Sequence, residues 1–133
     1  MAIYVAETDN LAEIRRFVDE AARYLRANQA AVDDMVQAVD EAVANIIIHG
    51  YAGKSGLVEI NVTREDVSLV VRLRDQGVQF DPTQMPAPDL TTSIMKRRPG
   101  GLGIYLIHQY VDQVQYRAIT QGGNELTLIK KAF

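Results

Sequence analysis

Three polar side chains stand four residues apart in the stretch EAVANIIIHGY: the carboxylate of Glu41, the carboxamide of Asn45 and the imidazole of His49. On an α-helix a step of four turns only about 40° and climbs about 6 Å, so they would form one ridge. An amide oxygen is a hard ligand suited to Mg2+. Ala38 and Ala42 flank the ridge and are small enough to let a ligand approach the helix closely. Periodicity alone favours a plainer reading, a solvated helix face turned away from the apolar stripe.

The elements that must position this ridge follow from the hydrophobic pattern. Its helix is expected from about residue 32 to 48, with Val32, Met35, Val36, Val39, Val43, Ile46 and Ile47 buried. Gly50, Gly53 and Gly56 end it. Upstream, Ile3 to Ala6 reads as a short strand, and Thr8, Asp9 and Asn10 offer N-cap chemistry. An amphipathic helix follows, with Leu11, Ile14, Phe17, Val18, Ala21, Tyr24 and Leu25 inward. Its outer face pairs Arg15 with Asp19 and Arg16 with Glu20 at helical spacing.

Downstream, residues 57–63 and 67–74 read as a hairpin turned at Arg64, Glu65 and Asp66. Val58, Ile60 and Val62 share one face, as do Val67, Leu69, Val71 and Leu73. Asp75 continues that second parity and is therefore aimed at the buried side. A buried carboxylate needs partners or a changed pKa, so Asp75 asks for an explanation. Residues 77–99 form a long irregular stretch with prolines at 82, 86, 88 and 99 and with Lys96, Arg97 and Arg98 near its end. Gly100, Gly101 and Gly103 then open a helix from 102 to about 111, an arrangement that turns backbone N–H groups toward a phosphate. His108 reads as structural or surface. Residues 113–119 and 126–130 close the chain as a second hairpin.

Composition narrows the functional classes. The 133 residues suit one domain, 1–133, and 47% hydrophobic with 23% charged content is that of a soluble globular protein. A net charge of −3 gives no argument for nucleic acid or an anionic membrane. Without cysteine there is no disulfide framework and no thiolate metal site, which suits the cytoplasm. Neither a signal peptide nor a membrane span is expected.

Four signals thus occur in a fixed order: the Glu41/Asn45 helix, Asp75-Gln76-Gly77 at a strand end, a loop with basic residues, and Gly100-Gly101-Leu102-Gly103 at a helix start. Together they match a purine nucleotide with its magnesium. A buried carboxylate accepts a hydrogen bond from an exocyclic amine, and glycine backbone cradles phosphates. No GxxxxGK[ST] occurs, so this is not a P-loop site.

The chain resembles the ATP-binding domain shared by gyrase, heat-shock chaperones, histidine kinases and mismatch-repair ATPases. Within that superfamily it is most similar to the bacterial anti-sigma factor serine/threonine kinases. EAVANIIIHGY, DQGVQFDP and RRPGGLGIYLIHQYVDQVQY correspond to that family's N box and first and second glycine boxes. The resemblance implies a two-layer α/β sandwich of the Bergerat type, a mostly antiparallel, mixed sheet with three helices on one face. It implies that Asn45 coordinates Mg2+, that Asp75 binds the adenine amino group, and that Gly77 lets the base approach. Gly100, Gly101 and Gly103 would line the phosphate side, with Arg97 or Arg98 steadying the γ-phosphate and His49 orienting neighbours there. Glu41 would be the general base.

By the same resemblance the substrate is a serine or threonine of a STAS-domain antagonist, the second partner is a sigma factor, and a homodimer is allowed. Contact with nucleic acid or membrane is not implied. A module that binds ATP and holds a partner without phosphorylating it is the alternative. A histidine kinase catalytic domain lacks support, since no helical hairpin with a phosphoacceptor histidine precedes these motifs. Two departures stand out: Gln79 where relatives often have a second glycine, and Gly123-Asn124-Glu125 where many have Gly-Thr.

Overall fold

A computed structural model describes residues 1–52, 54–84 and 101–133. Five strands run β1 (Ala2–Val5), β2 (Leu57–Glu65), β3 (Ser68–Asp75), β4 (Gln113–Ala118) and β5 (Asn124–Lys131). They form one sheet in the order β1-β2-β3-β5-β4, with every neighbouring pair antiparallel. The mixed sheet expected from the resemblance is thus purely antiparallel among the described residues. Three helices, α1 (Leu11–Tyr24), α2 (Gln29–Asn45) and α3 (Gly101–Tyr110), complete the two-layer α/β sandwich. The described helices are not long and apolar enough to cross a membrane.

The core lies between sheet and helices. Ile14 and Val18 from α1, Met35, Val39 and Val43 from α2, and Ile107 from α3 meet Val58, Ile60, Leu69, Val71, Leu73 and Leu128 from the sheet. The strand parity is as read from sequence, except that Val67 is exposed in the turn between β2 and β3. Asp66 takes φ +56° in that turn, and Glu65 pairs with Ser68, so the hairpin turns one residue later than expected.

The helices differ from expectation in instructive ways. Asn10 does not cap α1; its side-chain amide donates to the Val5 carbonyl at 2.8 Å and ties the helix start to β1. Tyr24 is exposed rather than inward, because the α1 stripe ends on Ala22. Arg15 reaches Asp40 on α2 at 2.6 Å instead of Asp19, which pairs with Arg23. Helix α2 starts earlier, at Gln29, since Asn28 is a working N-cap: its oxygen accepts from the Ala31 N–H at 2.9 Å. His108 is exposed on α3.

Helix α2 is the centre of the helical layer, packed against α1 on one side and α3 on the other. Ala38 and Ala42 are therefore fully buried rather than solvated. Methyl-sized side chains let α3 approach, and the same face carries Glu41 and Asn45.

Candidate functional site

The helix bearing Glu41 and Asn45 ends in a widened π turn, Ile46–Gly50, closed by the Tyr51 N–H donating to the Ile46 carbonyl at 3.0 Å. The four-residue step of an α-helix therefore holds from Glu41 to Asn45 but not on to His49. His49 instead stacks on Phe80, with ring centroids 5.0 Å apart and planes 19° from parallel.

The π turn carries Gly50 against the strand end that holds Asp75. The Gly50 carbonyl accepts from the Val78 N–H at 2.8 Å. A Cβ at Gly77 would collide with the Gly50 backbone, so this crossing by itself requires glycine at 77. A side chain at Gly123 would strike the Asp75 carbonyl, and its φ of +93° also favours glycine. Tyr51 pins the same junction: its hydroxyl accepts from the Gln76 N–H at 2.8 Å and donates to the Leu57 carbonyl at 2.6 Å.

Between these elements lies an open cleft, and Ala42, Asn45, Gly50, Asp75, Tyr116 and Asn124 are among its lining residues. Asp75 is buried, as its strand parity requires. Its Oδ1 accepts from the Gly77 N–H at 2.9 Å and from the Asn124 side-chain amide at 3.0 Å. Burial pushes its carboxyl above the ordinary range, and these two hydrogen bonds pull it part of the way back. Asn124 stands directly opposite Asp75 in the β3–β5 register.

Asn45 is also buried, yet among the described residues its side-chain nitrogen has no hydrogen-bond partner, and neither has Nε2 of His49. Buried polar atoms without partners are uncommon, and the one on Asn45, which lines the cleft, points to a polar ligand there. Glu41 lies one turn before Asn45 and is half-buried. Its carboxyl is pushed up, first by burial and then by the neighbouring Asp40 charge.

The structure thus brings Asn45, Asp75 and Gly77 around one cleft, with His49 stacked beside it and Glu41 a turn away on the same helix. Gly101 and Gly103 lie at the start of α3 as expected. Gly100, Arg97 and Arg98 lie outside the described residues. Sequence reasoning missed Tyr116, Phe80 and the bracing role of Asn124; the only signal for Asn124 was its place as a departure from Gly-Thr. Gln79, the other departure, is exposed and donates to the Ile119 carbonyl at 3.1 Å, tying the loop to the turn before β5.

A two-layer sandwich has a buried carboxylate at a strand end, a glycine crossing beneath it and, on the facing helix, an amide nitrogen without a partner among the described residues, the arrangement expected of a nucleotide site outside the P-loop class. The sequence matches the histidine kinase-like ATPase domain over residues 4–130, and the chain belongs to that family. It is 29% identical over 128 residues to the anti-sigma F factor of Clostridium acetobutylicum, spanning 96% of this chain and 90% of that protein. It is 35% identical over 92 residues to the serine/threonine-protein kinase BtrW of Bordetella bronchiseptica, covering 67% of this chain and 63% of that one. Among solved structures, the RsbU and RsbW domains of Rv1364c from Mycobacterium tuberculosis share the fold. The TM-score is 0.62 at 17% identity, over 99% of this chain and 33% of that one.

Proposed function

We propose that this protein is an ATP-dependent serine/threonine kinase and anti-sigma factor, which phosphorylates a STAS-domain antagonist and sequesters a sigma factor. Membership of the ATPase family supports ATP as the nucleotide, and the anti-sigma F factor and serine/threonine kinase relatives support the partners and the reaction. The observation that carries the reading is the pair Glu41 and Asn45. A carboxylate with a raised pKa stands one helical turn from a buried amide whose nitrogen has no partner among the described residues, at the edge of the cleft that holds Asp75.

Asp75 offers a carboxylate oxygen to the exocyclic amine of adenine, and the Gly50–Gly77 crossing keeps that end of the cleft narrow. The phosphates then extend toward Asn45 and the N-terminus of α3, which begins at Gly101. Asn45 fits a magnesium ion, since its carboxamide has no role in the described hydrogen bonding and its oxygen is a hard donor. When bound, the metal supplies neutralisation of phosphate charge.

Glu41 takes the proton from the attacking serine or threonine hydroxyl. The hydroxyl oxygen bonds to the γ-phosphorus, and the β–γ bridging oxygen leaves with ADP. A carboxylate whose pKa is raised by burial and by Asp40 is a stronger base than an ordinary glutamate. His49, held on Phe80, orients groups at the phosphate end, where the family resemblance also implies a role for Arg98 and Gly100.

The test is incubation with labelled ATP, Mg2+ and a STAS-domain partner, beside Glu41→Ala. Label on a serine or threonine of the partner with the native protein, and loss of label in the variant, is the expected result. If both bind ATP and neither transfers label, the protein is instead an ATP-gated binding module.

A further inference from the structure

Asn124 uses both ends of its amide at four places. Its oxygen accepts from the Phe80 N–H at 2.9 Å and from the Tyr116 hydroxyl at 2.5 Å. Its nitrogen donates to the Val78 carbonyl at 2.9 Å and to Asp75 Oδ1 at 3.0 Å. Phe80 N–H can only donate and the Val78 carbonyl can only accept, so these two backbone groups fix which end of the amide faces which way. The nitrogen must then point at Asp75, and the oxygen at Tyr116.

The consequence falls on the carboxylate. With Oδ1 engaged by Asn124 and by the Gly77 N–H, the other oxygen, Oδ2, is the one left for a ligand in the cleft. An ionised oxygen can only accept, so it rewards a base carrying an amine and penalises one carrying a carbonyl at the same position.

We propose that Asn124 is a positioning residue, which orients Asp75 so that Oδ2 meets a base with an exocyclic amine. It also clamps residues 78–80 against the sheet. This rests on the nucleotide reading above and adds a determinant of base selectivity in place of the Gly-Thr pair of many relatives. A threonine has one hydroxyl and one proton to give, so it can reproduce the bond to Asp75 but not the two backbone bonds together.

The native chain, Asn124→Ala and Asn124→Thr are compared for ATP and ITP binding by calorimetry, from about pH 5 to 8, with folding followed by thermal melting. ITP carries a carbonyl where ATP carries the amine. The titratable groups facing Asp75 are Tyr51 and Tyr116, with Asp81 beyond Tyr116; both phenols are raised and stay neutral over this range. His49 stacks on Phe80 and is present in all three proteins, so the comparison between variants removes its contribution.

Asn124→Ala is expected to bind ATP about tenfold more weakly at neutral pH, the effect of one lost hydrogen bond to a charged group. Its ATP-to-ITP ratio should narrow, and its affinity should fail at higher pH on the acid side, because the bond from Asn124 favours the ionised carboxyl. Asn124→Thr should fall between, and it carries the same comparisons if the alanine variant does not fold. Folded variants with the native ratio and the native acid limb overturn the proposal, even if both affinities fall equally. A native protein that binds neither nucleotide overturns the functional reading itself, an outcome distinct from the first.

Discussion

The two ends of the cleft are built on opposite principles. At the base end, Asp75 Oδ1, Asn124, Tyr116, Tyr51 and the backbone of 76–80 hold one another in place through hydrogen bonds that leave Asp75 Oδ2 for a ligand. At the phosphate end, the Asn45 nitrogen and His49 Nε2 are buried without partners among the described residues, and Glu41 has a carboxyl raised by burial. The first end is finished by folding, so its geometry is set before a ligand arrives. The second keeps polar groups that no described residue satisfies. Changes at the base end should therefore cost stability and affinity together, whereas changes at the phosphate end should cost chemistry and leave the fold in place.

Glu41→Ala is the strongest test of that division. Phosphoryl transfer should drop by about 10²-fold or more, the range for loss of a general base, while ATP affinity and melting temperature remain near native. A large loss of stability would move Glu41 to the structural side. Gly77→Ala should do the opposite. The added methyl meets the Gly50 backbone, which cannot swing aside as a side chain would, so a loss of about 2–3 kcal/mol on chemical denaturation is expected, with nucleotide affinity falling alongside. An alanine variant with native stability would show that the crossing is looser than described.

Asn45→Ala sharpens the contrast from the other end. Removing a buried amide whose nitrogen is unpartnered should leave the melting temperature close to native or raise it. Affinity for ATP in the presence of Mg2+ should still fall about tenfold, the effect of one lost charged contact, and the fall should shrink when Mg2+ is withheld. Equal losses with and without the metal would remove Asn45 from the metal site.

The pH dependence is smaller and has a defined sign. Burial and Asp40 raise the Glu41 pKa, so the base is lost by protonation at a higher pH than for an ordinary glutamate as the solution is acidified. Transfer should decline on the acid side from that higher point, and Asp40→Asn should move the decline downward by removing the lesser of the two causes. An unchanged acid limb in Asp40→Asn, measured under saturating ATP, would assign the limb to another group.

What could be read from the sequence follows the same line. Asp75 was legible because a strand has a period of two and the carboxylate continued the parity of Leu69, Val71 and Leu73. The burial of Asn45 was not legible from periodicity, which treats a helix as having one buried face. Helix α2 has two, and Ala38 and Ala42 are the side chains that admit α3. His49 was misplaced on the ridge because the π turn breaks the α-helical step. Asn124 was seen only as a departure, since its partner lies 49 residues away and the pairing depends on a β3–β5 register that local pattern does not reveal. The family motifs supplied the roles of Glu41 and Asn45 that spacing by itself left undecided.

The measurement that bears most directly on the central claim is ATP binding by Asp75→Asn, set beside its thermal melt. The substitution keeps the shape of the side chain and removes the charge proposed to accept the adenine amine. The account predicts a folded protein that binds ATP about tenfold or more weakly, with the loss greater for ATP than for ITP. A folded Asp75→Asn protein with native ATP affinity would contradict the placement of the nucleotide in this cleft.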